Sequence, residues 1–136
     1  MVWKMTFKSK YYNIKTRTSD GLIFDSHREA RRWEELLLLQ KAGKIAELRR
    51  QVAYELIPAQ YETYERFSKK GVRLKDGRKL IERKVSYIAD FVYTNADTGE
   101  LKVEDVKGYK QGGAYDVFVI KRKLMYAING IKVDEV

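Results

Sequence analysis

The sequence predicts an α/β fold in a single domain, on three observations. A capped helix leads into a strand of alternating apolar and polar residues, a pair of strands occupies the middle of the chain, and a second amphipathic helix precedes a last strand. At 136 residues the chain is the size of one ordinary domain and too short for two.

Residues 1–21 mix Lys4, Lys8, Lys10, Lys15 and Arg17 with Trp3, Tyr11 and Tyr12 and end at Asp20-Gly21, which reads as a basic arm closed by a turn. After the strand-like run Leu22-Ile23-Phe24, Ser26 and Glu29 match the S-x-x-E capping box. The helix that starts there is expected from His27 to about Ala42, with Ala30, Trp33, Leu36, Leu37 and Leu39 inward and Gly43 ending it. Gln51–Ile57 alternates as a strand. Residues 59–84 form a basic insertion containing Lys69, Lys70, Arg73, Lys75, Arg78 and Lys79, either a solvated loop or a DNA-gripping hairpin with its tip at Asp76-Gly77. Val85–Thr94 and Leu101–Lys107 read as two strands joined by a turn over Asn95–Gly99. Asp116 is a plausible N-cap for a helix to Ile128 that packs Val117, Ile120, Leu124, Met125 and Ile128 inward. Gly130 stops it, and Ile131–Val136 reads as a strand.

Composition narrows the chemistry. No cysteine is present and His27 is the only histidine, which removes thiolate chemistry and histidine-rich or cysteine-ligated zinc. A metal would be held by oxygen, which points to magnesium or manganese. Lys and Arg outnumber Asp and Glu by 28 to 19, a net charge of +9, so an anionic partner is expected, nucleic acid first among them. No apolar run approaches the roughly 20 residues that span a bilayer, and the opening MVWKMTFKSK lacks the apolar core of a secretory signal; a cytoplasmic location is expected, in the host cell if the protein is phage-encoded.

Asp90 is a charge within the otherwise apolar VSYIADFVY, expensive there unless it finds a partner. In LKVEDVKG, Asp105 and Lys107 lie two apart and share a face. With a loop at 95–100, Thr94 faces Leu101, and the register carries Asp90 opposite Asp105; a slip of one would set it against Glu104, on the face away from Lys107. Two opposed carboxylates repel unless a cation sits between them. A divalent metal with Lys107 beside it suits phosphodiester hydrolysis. An exposed Asp-x-Lys is by itself only a solvated charge pair; its weight comes from Asp90, the turn length and the basic chain together. Glu29 is explained by the capping box, and a helix residue facing the hairpin also offers a third carboxylate. Lys10, Lys15, Arg17, Lys69, Lys70, Arg73 and Lys110 are candidate nucleic-acid contacts, with Tyr11, Tyr12 and Tyr109 against sugars or bases.

KYYNIKTR, DGLIFDSHREARRWEELLLLQKAGKI, the Gln51 strand, YIADF and VEDVKGY together resemble the PD-(D/E)XK nucleases, in particular short phage and prophage proteins related to Holliday-junction resolvases. The likeness covers residues 10–57 and 85–108. It implies a restriction-endonuclease-like domain with a central mixed β-sheet flanked by α-helices, Mg2+- or Mn2+-dependent DNA hydrolysis, and a site of Glu29, Asp90, Asp105 and Lys107, the three acids holding the metal. Asp90 matches the motif's first acid, with Ala89 in place of the usual proline, and Asp105-Val106-Lys107 matches D/E-x-K. Glu29 matches the first-helix acid by position, with Gln51 a neighbour of the site. The resemblance also implies branched DNA as substrate, a role in phage replication or recombination, and a homodimer. Two alternatives stand beside it: a nuclease of the same fold with another target, such as transposon-end or restriction-like cleavage, and a non-catalytic nucleic-acid-binding protein.

Overall fold

Ser26 and Gly43 bracket the first helix. The structure, a computed structural model, describes residues 3–8 and 14–136, and side chains from Lys15 onward. Helix α1 runs His27–Lys41. The Ser26 hydroxyl accepts the Glu29 N–H at 3.2 Å. At the other end Gly43 has φ +76°, and the N–H groups of Gly43 and Lys44 reach the carbonyls of Gln40 and Leu39 at 3.0 and 2.9 Å, a Schellman ending. Ala30, Trp33 and Leu36 are buried as expected, whereas Leu39 is exposed.

Where a basic arm was expected, residues 3–8 and 14–17 form strands: β1 (Trp3–Lys8), β2 (Ile14–Arg17) and β3 (Ile23–Phe24) make an antiparallel sheet. Thr16 in β2 and Thr18 in the turn after it are buried, a polar lining that no apolar alternation advertises. Lys10, Tyr11 and Tyr12 lie outside the described residues.

The central sheet is mixed, as expected. Its order is β4 (Ile45–Ile57), β7 (Val85–Asn95), β8 (Leu101–Asp105), β9 (Val133–Glu135); β4, β7 and β8 are antiparallel and β9 runs parallel to β8. β4 begins six residues earlier than the alternation at Gln51 suggested. Its first half is hidden by a register shift between Ala46 and Arg49, where Glu47 has φ +56°, a local break that destroys a period of two.

α1 and α2 (Gly113–Asn129) supply two separate cores. On the α1 side Trp33 stacks on Phe91 with centroids 5.6 Å apart, joined by Phe24, Leu36, Ile45 and Tyr93. On the α2 side Phe118 and Met125 pack with Tyr87, Ala89, Val92 and Val103. α2 begins at the cap Gly112, so Asp116 lies in its first turn instead of capping it. The inward face is also shifted. Val117, Ile120 and Ile128 are more than half exposed, because the helix is apolar on two sides and the face carrying Phe118 meets the sheet.

Residues 59–84 form a hairpin of β5 (Gln60–Phe67) and β6 (Arg73–Glu82). Its turn is at Ser68–Val72, not at Asp76-Gly77. Gly77 sits within β6 opposite Tyr64, whose ring covers it so closely that an added Cβ would lie 2.3 Å from a ring carbon. Glycine is there to seat an aromatic ring across the pair. No helix among the described residues is long and apolar enough to cross a membrane.

Candidate active site

β7 and β8 pair in the register counted from the turn: Thr94 with Leu101, Tyr93 with Lys102, Val92 with Val103 and Phe91 with Glu104. The paired ladder ends there, one step short of Asp90 and Asp105, whose charges act on each other. There the backbone ladder gives way to a side chain, for Asp90 Oδ2 accepts the Val106 N–H at 2.8 Å. Its other oxygen faces the Gln51 amide at 3.4 Å.

Asp90 also marks a change of layer. Ala89 and Phe91 are two apart and should share a face, yet Ala89 packs in the α2-side core and Phe91 in the α1-side core. The neighbouring strand bends at the same level, where Gln51 has φ +53°. Asp90 is thus reached by groups from both layers.

Asp105 is buried, and both its oxygens are engaged. Tyr87 donates to Oδ2 at 2.7 Å, and Lys107 Nζ lies 2.9 Å from Oδ1. Lys107 in turn sits over the Phe118 ring, 4.1 Å from its centroid. These groups line a cleft of about 260 Å³ with Ser86, Ile88, Val117 and Lys121 at its walls. A larger groove of about 810 Å³ lies between α2 and β9, but its Glu135 is tied to Tyr115, Arg122 and Lys110, and it contains none of the acids around Asp90.

Glu29 enters from α1. Its cap bond uses the backbone N–H, leaving the carboxylate for the site. Burial foremost, then the charges of Asp90 and Asp105, push its pKa up to about 7, with the Arg50 guanidinium opposing them. Asp90 is likewise raised above the ordinary carboxylate range, first by burial and then by Asp105, against the Val106 N–H and Lys107. Burial and the Asp105 carboxylate hold the Tyr87 phenol in its protonated form. Among the described residues, no three His, Cys, Asp or Glu side chains stand close enough to make a ready metal-ligand set. Glu29, Asp90 and Asp105, with the Asp105 charge raising the proton affinity of the other two, nonetheless offer the oxygen donors and the negative charge that suit a hard divalent cation.

Glu104, the other acid of the strand, points to the α1 side. Arg32 grips both its oxygens at 2.8 and 2.6 Å, and the Tyr93 hydroxyl donates to it as well. This partly buried pair bolts α1 to the sheet and is separate from the Asp105 cleft.

The profile described as "Protein of unknown function (DUF1064)" matches residues 8–133, nearly the whole chain and all four site residues. The chain belongs to the DUF1064 family. No curated protein and no solved structure matches this DUF1064 chain.

Of the candidate nucleic-acid contacts, Lys10 lies outside the described residues, Lys15 is half-buried on β2, and Arg17 is exposed there. Lys69 and Lys70 stand exposed at the hairpin turn. Arg73 is paired with Glu65 and Asp76 at 2.9 and 2.8 Å, and Lys110 lies 3.4 Å from Glu135. Tyr87 and Phe118 were not foreseen in the site. Tyr87 reads as an ordinary strand aromatic, and Phe118 was hidden by the misassigned face of α2.

Proposed function

We propose that this DUF1064 protein is a divalent-metal-dependent endodeoxyribonuclease of the PD-(D/E)XK type that cuts branched DNA, four-way junctions in particular, during phage replication or recombination. The observation that carries the reading is that acids from three separate elements converge beside Lys107: the Asp90 and Asp105 charges raise the proton affinity of Glu29, the Asp105 charge raises that of Asp90, and Lys107 lies 2.9 Å from Asp105. A purely structural role for such a set is costly, since burying like charges together destabilises a fold.

Magnesium or manganese suits this donor set and would supply, when bound, charge neutralisation and a more acidic water. Lys107 lies beside Asp105 in an open cleft, where an ammonium can oppose the charge that develops on a phosphate under attack. Glu29, with a pKa of about 7 before a cation binds, would give up its proton as the cation takes its place. The net charge of +9 draws the polyanion in, and the exposed Lys69 and Lys70 offer it contacts. A two-fold dimer would let two such sites cut symmetrically.

One observation favours a second reading, a nucleic-acid-binding protein without catalysis: both Asp105 oxygens already have protein donors. Incubation with a labelled four-way junction, a flap and a plain duplex in Mg2+ separates the two. Junction cleavage that chelation stops supports the nuclease. Binding with every substrate left intact supports the second reading, and cleavage of plain duplex ahead of the junction supports a same-fold nuclease with another target. Sedimentation of the intact protein reads the dimer.

A further inference from the structure

The β5–β6 hairpin is out of keeping with the rest of the molecule. Its strands pack on each other and make no more than marginal contact with any other element. Every residue of β5 is exposed, and so are Val72, Leu74, Leu80 and Ile81 on the other strand and turn. A two-stranded hairpin is marginal in water by itself, and clustered exposed apolar groups mark a surface that meets a partner.

Charge decides which partner. Residues 60–84 hold nine Lys and Arg against four Asp and Glu, an excess of five, more than half that of the whole chain. A second copy would bring the same positive ribbon, whereas a polyanion complements it. We infer that the hairpin tip is a wedge that enters DNA at an unstacked base step, with Phe67 on one face and Val72 and Leu74 on the other, below a phosphate-binding apex of Lys69 and Lys70.

The local geometry supports a wedge over a loose basic loop. Ser68 N–H bonds the Val72 carbonyl at 2.8 Å, and the Ser68 hydroxyl accepts the N–H groups of Lys70 and Val72 at 3.3 and 3.1 Å, so the turn is braced from inside. Phe67 is paired with Arg73 and shares its face, while Val72 and Leu74, on either side of Arg73, take the opposite one. Apolar groups on both faces suit insertion between two stacked surfaces better than lying along one groove. The shaft is held by Arg78 over the Tyr61 ring at 3.8 Å and by the Arg73 ion pairs. It grows from β4 and β7 beside Ser86, Tyr87 and Ile88, which line the candidate cleft, and eight residues of strand reach roughly 26 Å. Unstacking an intact step costs a few kcal/mol. A junction or kink has already met that cost, so the wedge would favour branched DNA.

This inference rests on the nucleic-acid side of the proposed function, not on catalysis, and its test reads no cleavage. The intact Asp90→Asn protein is titrated in Mg2+ with a four-way junction and a matched duplex, each carrying 2-aminopurine, whose fluorescence rises on unstacking. The expected result is a fluorescence rise on binding and a preference for the junction of about ten-fold or more. Phe67→Ser with Val72→Ser should abolish both while leaving duplex affinity within about two-fold, and Lys69→Ala with Lys70→Ala should weaken both DNAs alike and lower the salt slope by about two. No fluorescence rise with the parent, or a junction preference that survives the serine substitutions, overturns the wedge. Serine variants that turn a dimer into a monomer without altering the junction preference assign the apolar tip to a second copy instead and overturn it too. Cleavage by a protein without the wedge leaves the nuclease reading standing, and a wedge on a protein that never cuts leaves only that reading lost.

Discussion

The Asp90 carboxylate takes the place of a backbone acceptor for the Val106 N–H, at 2.8 Å, so Asp90 is fixed directly to the end of β8, between Asp105 and Lys107. Asp90→Asn keeps an oxygen for that bond and should fold normally. It should lose Mg2+-dependent cleavage by at least about a hundred-fold, together with any rise in melting temperature that Mg2+ gives the parent protein. Thermal melts with and without Mg2+ and a cleavage assay read both.

Glu29 carries a pH signature. Its pKa is raised from an ordinary 4.5 to about 7, so between these values the folded protein holds a proton that the unfolded chain has released. Stability therefore falls as pH rises through this window, and the loss is complete above about 7. Glu29→Gln should melt higher than the parent at pH 8 and match it at pH 4. The same variant should lose cleavage, since the destabilising carboxylate is the useful one.

Under the proposed function Tyr87 serves to position Asp105. Tyr87→Phe removes the 2.7 Å bond and should slow cleavage about ten-fold, the effect expected for a supporting contact to the proposed metal ligand. It should cost about 1 kcal/mol of stability. Single-turnover kinetics and denaturant melts check the two effects separately.

Glu104 and Asp105 are adjacent acids with opposite duties. Glu104→Gln weakens the partly buried contact with Arg32 and should cost on the order of 1–3 kcal/mol, with cleavage per folded molecule little changed. Asp105→Asn should show the reverse pattern. A fall in activity with Glu104→Gln beyond the loss of folded protein would count against two separate roles.

Much of this was legible in the residues. The S-x-x-E box and Gly43 framed α1, and the turn at Asn95–Gly99 set the β7–β8 register from Thr94–Leu101 to Phe91–Glu104, because capping and turn chemistry are local. What was hidden depends on tertiary choices. α2 is apolar on two sides, and only the sheet decides that Phe118 is buried and Ile120 is not. Asp76-Gly77 has the composition of a hairpin tip, but Gly77 lies beneath Tyr64, a cross-strand contact that local pattern cannot reveal. Left-handed Glu47 erased the alternation of early β4. The Tyr87 contact arises because side chains on either side of Asp90 enter different cores, a break in strict strand geometry.

The most direct test of the site is Mg2+-dependent cleavage of a labelled four-way junction by the parent, Asp105→Asn and Glu104→Gln proteins side by side. Parent and Glu104→Gln should cut and Asp105→Asn should bind without cutting. An intact junction with the parent in both Mg2+ and Mn2+, or cleavage by Asp105→Asn at the parent's rate, would contradict a hydrolytic centre at Asp90, Asp105 and Lys107.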